Sequence, residues 1–157
     1  MRSDVMIEAD LDFQIAKITD IMAFQQLLKN VYGGESPWST AILWMELSKK
    51  KYGRYIKAQL NNELVGFGGI RIECNDAHIT NIAVLKDYQS QGIGTQLLHQ
   101  LREEALKMDC QTMSLEVRAS NHQAISVYRV FGFKQVGVKE NYYLSSNEDA
   151  IDMSLTL

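Results

Sequence analysis

Gln89-Ser90-Gln91-Gly92-Ile93-Gly94-Thr95 joins a strand-like stretch to a helix-like one, and the fold turns on how this junction is read. Downstream, Leu97, Leu98, Leu101 and Ala105 form one apolar stripe, which predicts a helix from Gly92 to Met108. Upstream, a strand is expected from about His78 to Leu85. Two glycines let the backbone turn closely here, and the first turn of a helix leaves amide N–H groups without partners. Such a place binds anions, phosphates above all. The dinucleotide fingerprint needs a third glycine where Leu97 stands, and the NTPase loop needs a Gly-Lys-Ser/Thr that is absent. From the two glycines alone, a plain strand-to-helix turn is an equal reading.

Beyond this helix, Met113, Leu115 and Val117 alternate with Ser114, Glu116 and Arg118, a strand with one apolar face. Asn121 can cap a further helix whose Ala124, Ile125, Tyr128 and Phe131 share a face, and Gly132 ends it. Phe133 to Leu157 reads as two strands around a polar loop at Ser145 to Asp149. On the amino-terminal side, Tyr55 to Leu60 and Leu64 to Ile72 form a hairpin across Asn61-Asn62, since two Asn residues tolerate positive φ. Earlier still, Ile21, Phe24, Leu28 and Val31 follow Thr19, a candidate N-cap. Pro37 and Gly33-Gly34 mark a break, and Ser39 caps a second helix running to about Lys50. The Lys49-Lys50-Lys51 run suits a solvated helix end. Strands and helices mix without strict βαβ alternation, so the fold class is α+β with a mixed sheet.

The length, 157 residues, suits one domain spanning 1–157. Apolar residues make up 46% and charged residues 22%, too hydrophobic for disorder. With 16 basic and 19 acidic residues the formal charge is −3, without the basic excess of a nucleic-acid binder. Cys74 and Cys110 form no CxxC pattern and no metal-ligand spacing, so neither a disulfide framework nor a metal site is expected. Apolar runs such as Leu64 to Ile70 are about a third of a membrane span. Asp4, Glu8, Asp10 and Asp12 interrupt any signal peptide, and a cytoplasmic location is expected.

Gln89, Gly92 and Gly94 match the Gln/Arg-x-x-Gly-x-Gly/Ala motif with which the GNAT acetyltransferases hold the pyrophosphate of acyl-CoA. The resemblance sharpens in Asn81-Ile82-Ala83-Val84, Tyr88-Gln89, Leu115-Glu116-Val117-Arg118-Ala119-Ser120-Asn121, Ala124-Ile125, Tyr128, Gly132-Phe133 and Asn141-Tyr142-Tyr143. Together these resemble the RimI branch, the ribosomal-protein-alanine N-acetyltransferases, as do Pro37-Trp38-Ser39 and Glu148-Asp149-Ala150-Ile151 with Met153. The resemblance covers essentially everything from residue 37 onward and, more loosely, the first helix. It implies a GNAT fold, a twisted mixed sheet flanked by helices and splayed between its fourth and fifth strands, with acetyl-CoA in the wedge. Backbone groups of Ile82, Ala83 and Val84 would pair with the pantetheine arm as an added strand does. The amides of Gln89, Ser90, Gln91, Gly92, Ile93, Gly94 and Thr95 would take the pyrophosphate. Asn121 would reach the cofactor near its thioester, alongside or instead of capping its helix.

Acetyl transfer to an amine needs an uncharged amine, stabilisation of an oxyanion, and a proton for the departing thiolate. Freeing an α-amine at pH 7 costs about 1.4 kcal/mol and freeing a lysine about 4.6 kcal/mol, so an N-terminal substrate is the lighter task. The resemblance makes Glu116 the base. Read without it, Glu116 would be a surface carboxylate pairing with Arg118. An ordinary carboxylate matches an ammonium poorly, so burial should raise its pKa or a water should relay the proton. Tyr128, twelve residues on as in the family motif, would be the acid and would also touch the cofactor. Without the resemblance it would be a core tyrosine. As an ordinary phenol it is a donor uphill by about 2 kcal/mol to a thiolate.

Tyr142 and Tyr143 resemble the family's tyrosine pair at the peptide groove, and Trp38 would close its far side. Those rings would equally suit a strand facing a core. Ser36 departs from the pattern, which has a bulkier residue before Pro37, and about ten residues precede the first strand. His78, His99 and His122 read as surface or strand residues, and the seven Met residues as core filling. The reaction implied is acetyl-CoA-dependent acetylation of a protein N-terminus, namely the N-terminal alanine of a small-subunit ribosomal protein. Acetylation of lysine or a small amine is the alternative within the class, and a non-catalytic acyl-CoA-binding module is the alternative outside it. No metal, nucleic acid or membrane partner is expected.

Overall fold

Residues 11–143 and 146–157 are described by the computed structural model; Asp4, Glu8, Asp10 and Ser145 lie outside the described residues. The strands are β1 (Leu11–Ile15), β2 (Gly53–Leu60), β3 (Glu63–Glu73), β4 (Asp76–Val84), β5 (Thr112–Arg118), β6 (Lys134–Tyr143) and β7 (Glu148–Thr156). The helices are α1 (Ile21–Val31), α2 (Thr40–Ser48), α3 (Ile93–Lys107) and α4 (His122–Phe131). The strands form one sheet in the order β1-β2-β3-β4-β5-β7-β6. Neighbours are antiparallel except β4 and β5, which run parallel.

That parallel pair makes the site. β4 and β5 are in register only at Asp76 with Thr112, Ala77 with Met113, and His78 with Ser114. Both strands then continue, to Val84 and Arg118, without pairing, so the sheet opens into a wedge between its fourth and fifth strands as expected. Two cores cover the two faces. One packs α3 and α4 on the sheet through Leu97, Leu98, Leu101, Met113, Leu115 and Ile125. Leu97 and Leu101 are fully buried, each contributing on the order of 2 kcal/mol. The other packs α1 and α2 on the opposite face through Phe24, Leu28, Leu43, Tyr55, Phe67 and Ala83. Phe24 stacks on Phe67 at 4.1 Å. Tyr55 lies across Gly69, where any Cβ would enter its ring.

Several local expectations hold for their stated reasons. Asn61 and Asn62 have φ of 53° and 63°, which turns the β2–β3 hairpin. The Ser39 hydroxyl accepts from Ile42 N–H at 3.2 Å, and Asn121 Oδ1 accepts from Ala124 N–H at 3.2 Å, so both cap their helices. Gly132 ends α4 at φ 127°. Thr19 is not a cap: it lies inside a 3-10 turn, Ile18–Asp20, that leads into α1. α2 stops at Ser48, short of Lys50, and Lys49, Lys50 and Lys51 are exposed. Among the described residues, no helix is long and apolar enough to cross a membrane.

Candidate active site

The loop after β4 shows why an anion would rest there. Gly92 occupies the N-cap of α3 at φ 87°, with no side chain capping the helix. The first-turn amides of α3 therefore keep their donors. Gly94 has open space where a Cβ would stand. These features border a cleft of about 240 Å³ that Gln89, Ser90, Gly92, Ile93, Gly94 and Thr95 line on the helix side. Gln89 does more than line it: its side-chain nitrogen donates to the Val84 carbonyl at 2.9 Å and ties the loop to β4. Gln91 does not line this cleft, and its amide donates instead to the Asp87 carbonyl at 3.4 Å.

Ile82 and Val84 form the strand side of the cleft, and Asn121 and Tyr128 the α4 side. Ala83 is not brought there. Its side chain is buried at 3% exposure in the core under α1 and α2. Leu85 N–H donates to Val65 C=O at 2.9 Å, and antiparallel alternation from that bond turns Ala83's backbone groups toward β3. The same alternation turns the groups of Ile82 and the N–H of Val84 toward the gap, ready for an extended ligand, while the Val84 carbonyl is taken by Gln89.

A second cavity, of about 480 Å³, opens on the other side of the wedge. Ile82, Asn121 and Tyr128 line both cavities, so the two meet at these three residues. The far cavity also holds Trp38, Glu116 and Tyr143, which the sequence reading grouped as base and substrate aromatics. Trp38 is pinned by its carbonyl, which accepts from Gln25 at 2.8 Å and Ser36 at 2.7 Å. Tyr142 does not line this cavity, but its hydroxyl hydrogen-bonds Glu116, and its ring meets Tyr143 edge-on at 5.1 Å. Tyr32, Thr80 and Arg118 line it as well. Sequence reasoning missed Tyr32 and Thr80, as it missed Gln123 in the first cleft; no local pattern signals them.

Glu116 lies on the face opposite Leu115 and Val117, as strand alternation requires. It does not pair with Arg118. Arg118 bonds Glu148 at 3.4 Å and sits 4.0 Å over the Tyr143 ring. Glu116 instead meets Lys139 Nζ at 2.8 Å and His78 Nε2 at 3.7 Å. Burial is the largest single influence on its carboxyl and pushes its pKa up. The hydrogen bonds from Lys139 and Tyr142, with the charges of Lys139 and His78, outweigh it and hold the pKa below the ordinary value. Of the two expected alternatives, a pKa raised by burial is overturned by cations that no strand pattern reveals, which leaves the relaying water.

Tyr128 behaves the opposite way. Burial, aided by the phenols of Tyr32 and Tyr143, pushes its hydroxyl up to about 12. Its ring packs edge-on against Phe133 at 5.9 Å. A wedge lined by outward-facing strand amides, an uncapped helix start, a carboxylate and a phenol can hold a thioester beside an amine.

Comparison with known proteins agrees with this geometry. The sequence model of the acetyltransferase (GNAT) family matches residues 20–133. An Escherichia coli (strain K12) protein named ribosomal protein bS18-alanine N-acetyltransferase is 38% identical over 125 residues, 77% of this chain and 82% of that one. The Mycobacterium tuberculosis (strain ATCC 25618 / H37Rv) N-alpha-acetyltransferase RimI is 33% identical over 138 residues, 85% of each chain. The crystal structure of the E. coli ribosomal-protein-S18-alanine N-acetyltransferase superimposes with a TM-score of 0.84 at 31% identity, covering 93% of both chains. The chain belongs to the acetyltransferase (GNAT) family and, within it, to the RimI-like branch.

Proposed function

We propose that this protein transfers the acetyl group of acetyl-CoA to the N-terminal alanine of a small-subunit ribosomal protein, the reaction for which its E. coli relative is named. The observation that carries the reading is the meeting of two cavities at Ile82, Asn121 and Tyr128, with Glu116 on the far side. One cavity has the anion-binding loop and open strand edge that fit acetyl-CoA. The other has the rings of Trp38 and Tyr143, which suit a peptide backbone. That substrate class implies a cytoplasmic site of action.

Acetyl-CoA supplies an activated thioester; the chain supplies position and proton handling. The amides opening α3 hold the diphosphate, and the backbone groups of Ile82 with the N–H of Val84 hold the extended arm. Asn121 stands at the junction of the cavities. Glu116 takes the proton of the amine, and the Tyr128 hydroxyl donates a hydrogen bond to the departing sulfur. The test is incubation with acetyl-CoA and peptides varied at their first two residues, with free or blocked N-termini, followed by location of the added mass. Mass on the α-amine of alanine-first peptides is expected. Mass on lysine side chains, or on none of the peptides while coenzyme A still binds, would refute the reading.

A further inference from the structure

Glu116 is the end of a polar line running along the last paired residues of β4 and β5. Asp76 Oδ1 accepts from the Thr112 hydroxyl at 2.7 Å, and Asp76 Oδ2 accepts from the Ser114 hydroxyl. A carboxylate only accepts, so the one proton of Ser114 is committed to Asp76. The Ser114 oxygen is left to accept from His78 Nδ1, 2.9 Å away. His78 therefore keeps a proton on Nδ1 in both charge states, and this assignment follows from the network. The nitrogen that gains and loses a proton is Nε2, the one facing Glu116 Oε1 at 3.7 Å. The side chain of His78 is 25% exposed, so Nε2 also has a way to solvent.

We propose that His78, oriented by Ser114 and Asp76, is the proton exit of Glu116. This rests on Glu116 being the base. In the step, an N–H bond of the substrate ammonium breaks as an O–H bond forms on Glu116. Once the 3.7 Å gap closes to hydrogen-bond length, that O–H bond breaks as an N–H bond forms on His78 Nε2, which regenerates the carboxylate and leaves an imidazolium. The imidazolium then loses the proton to solvent; no electrons are exchanged with any other group. The second transfer takes the proton from a carboxylate that its surroundings keep ionised. Lys139 on β6 favours that ionised form of Glu116 from 2.8 Å away. The other charged and titratable groups around the pair are Asp76 on β4, Arg71 directly opposite His78 on β3, Asp152 opposite Glu116 on β7, and Tyr142 on β6. His78 acts through Glu116 and is a positioning and relay residue rather than one that touches substrate.

The test compares His78→Ala, His78→Asn and Glu116→Gln in acetyl transfer to an alanine-first peptide at saturating acetyl-CoA. His78→Asn keeps a donor for Ser114 but has nothing in place of Nε2. Both His78 variants should lose kcat by roughly tenfold, below the roughly 10²–10⁴ of a direct base, with KM for acetyl-CoA and Tm unchanged. Free imidazole in the buffer should restore His78→Ala in proportion to its unprotonated fraction. Full kcat in His78→Ala or in His78→Asn would overturn the relay, as would a slowed His78→Ala that imidazole does not restore. Glu116→Gln separates the two levels. If it is inactive while His78→Ala is fully active, the relay alone fails; if it is fully active, the base assignment fails and takes the relay with it.

Discussion

Replacing Tyr128 by Phe tests the role proposed for this phenol at the departing thiolate. Its hydroxyl is pushed up to about 12 by burial and by the neighbouring phenols of Tyr32 and Tyr143. An alkyl thiol has a pKa of about 8.5, so complete proton transfer from Tyr128 to the departing thiolate would run uphill by about 4.8 kcal/mol. The sequence-based expectation of about 2 kcal/mol, from an ordinary phenol, understates this because it lacks the burial. Tyr128 is therefore expected to stabilise the thiolate by hydrogen bonding, with the proton arriving from solvent afterwards. A hydrogen bond to a charged group contributes about 1.5–3 kcal/mol, so Tyr128→Phe should lower kcat roughly 10- to 150-fold. Phe keeps the ring and its edge contact with Phe133, so Tm and KM for acetyl-CoA should stay close to those of the unaltered protein. Thiol release followed with a chromogenic thiol reagent, alongside a thermal melt, measures all three. A kcat within twofold of the unaltered protein would refute the role. A loss beyond about 10⁴-fold would refute the hydrogen-bond form of it in favour of obligatory proton donation.

Gly92→Ala forces a Cβ onto φ 87° with nothing crowding the site, so the cost is backbone strain of about 1 kcal/mol. Equilibrium denaturation should show that loss, and a coenzyme A titration should show weaker binding as the helix-start amides turn; unchanged values in both would refute the anion-site geometry. Leu101→Ala empties a fully buried position under α3 and should cost about 2–5 kcal/mol in denaturant unfolding. Lys139→Met removes the cation 2.8 Å from Glu116, so the Glu116 pKa should rise, visible as an upward shift in the ¹³C titration of its carboxyl carbon. The sign for stability follows. Because the Glu116 pKa is held below the ordinary carboxylate value in the folded chain, its contribution is complete above the ordinary value and is lost as pH falls through the lower folded one. Lys139→Met should therefore flatten the acid side of the stability curve, and an unchanged curve would count against the pairing.

The sequence alone determined most of the elements whose cause is local. Period-2 and period-3.6 patterns placed the strands and helices, and Ser39, Asn121, Gly132 and Asn61-Asn62 marked the turns and caps, because each acts within a few residues of itself. Gln89 to Thr95 marked a glycine-led helix start for the same reason, because an uncapped first turn is a property of one loop. Thr19 and Lys50 were misplaced by short distances, since helix ends depend on which neighbouring turn takes the first bonds. What only the tertiary structure decided is the electrostatics of the site. His78, Glu116, Lys139 and Asp152 stand on β4, β5, β6 and β7, and the insertion of β7 between β5 and β6 gathers them. A carboxylate's acidity is set by charges within a few ångströms, and here those charges come from residues 23 and 38 positions away in the chain. Pattern along a sequence reports which face a side chain takes; only folding decides what stands opposite that face.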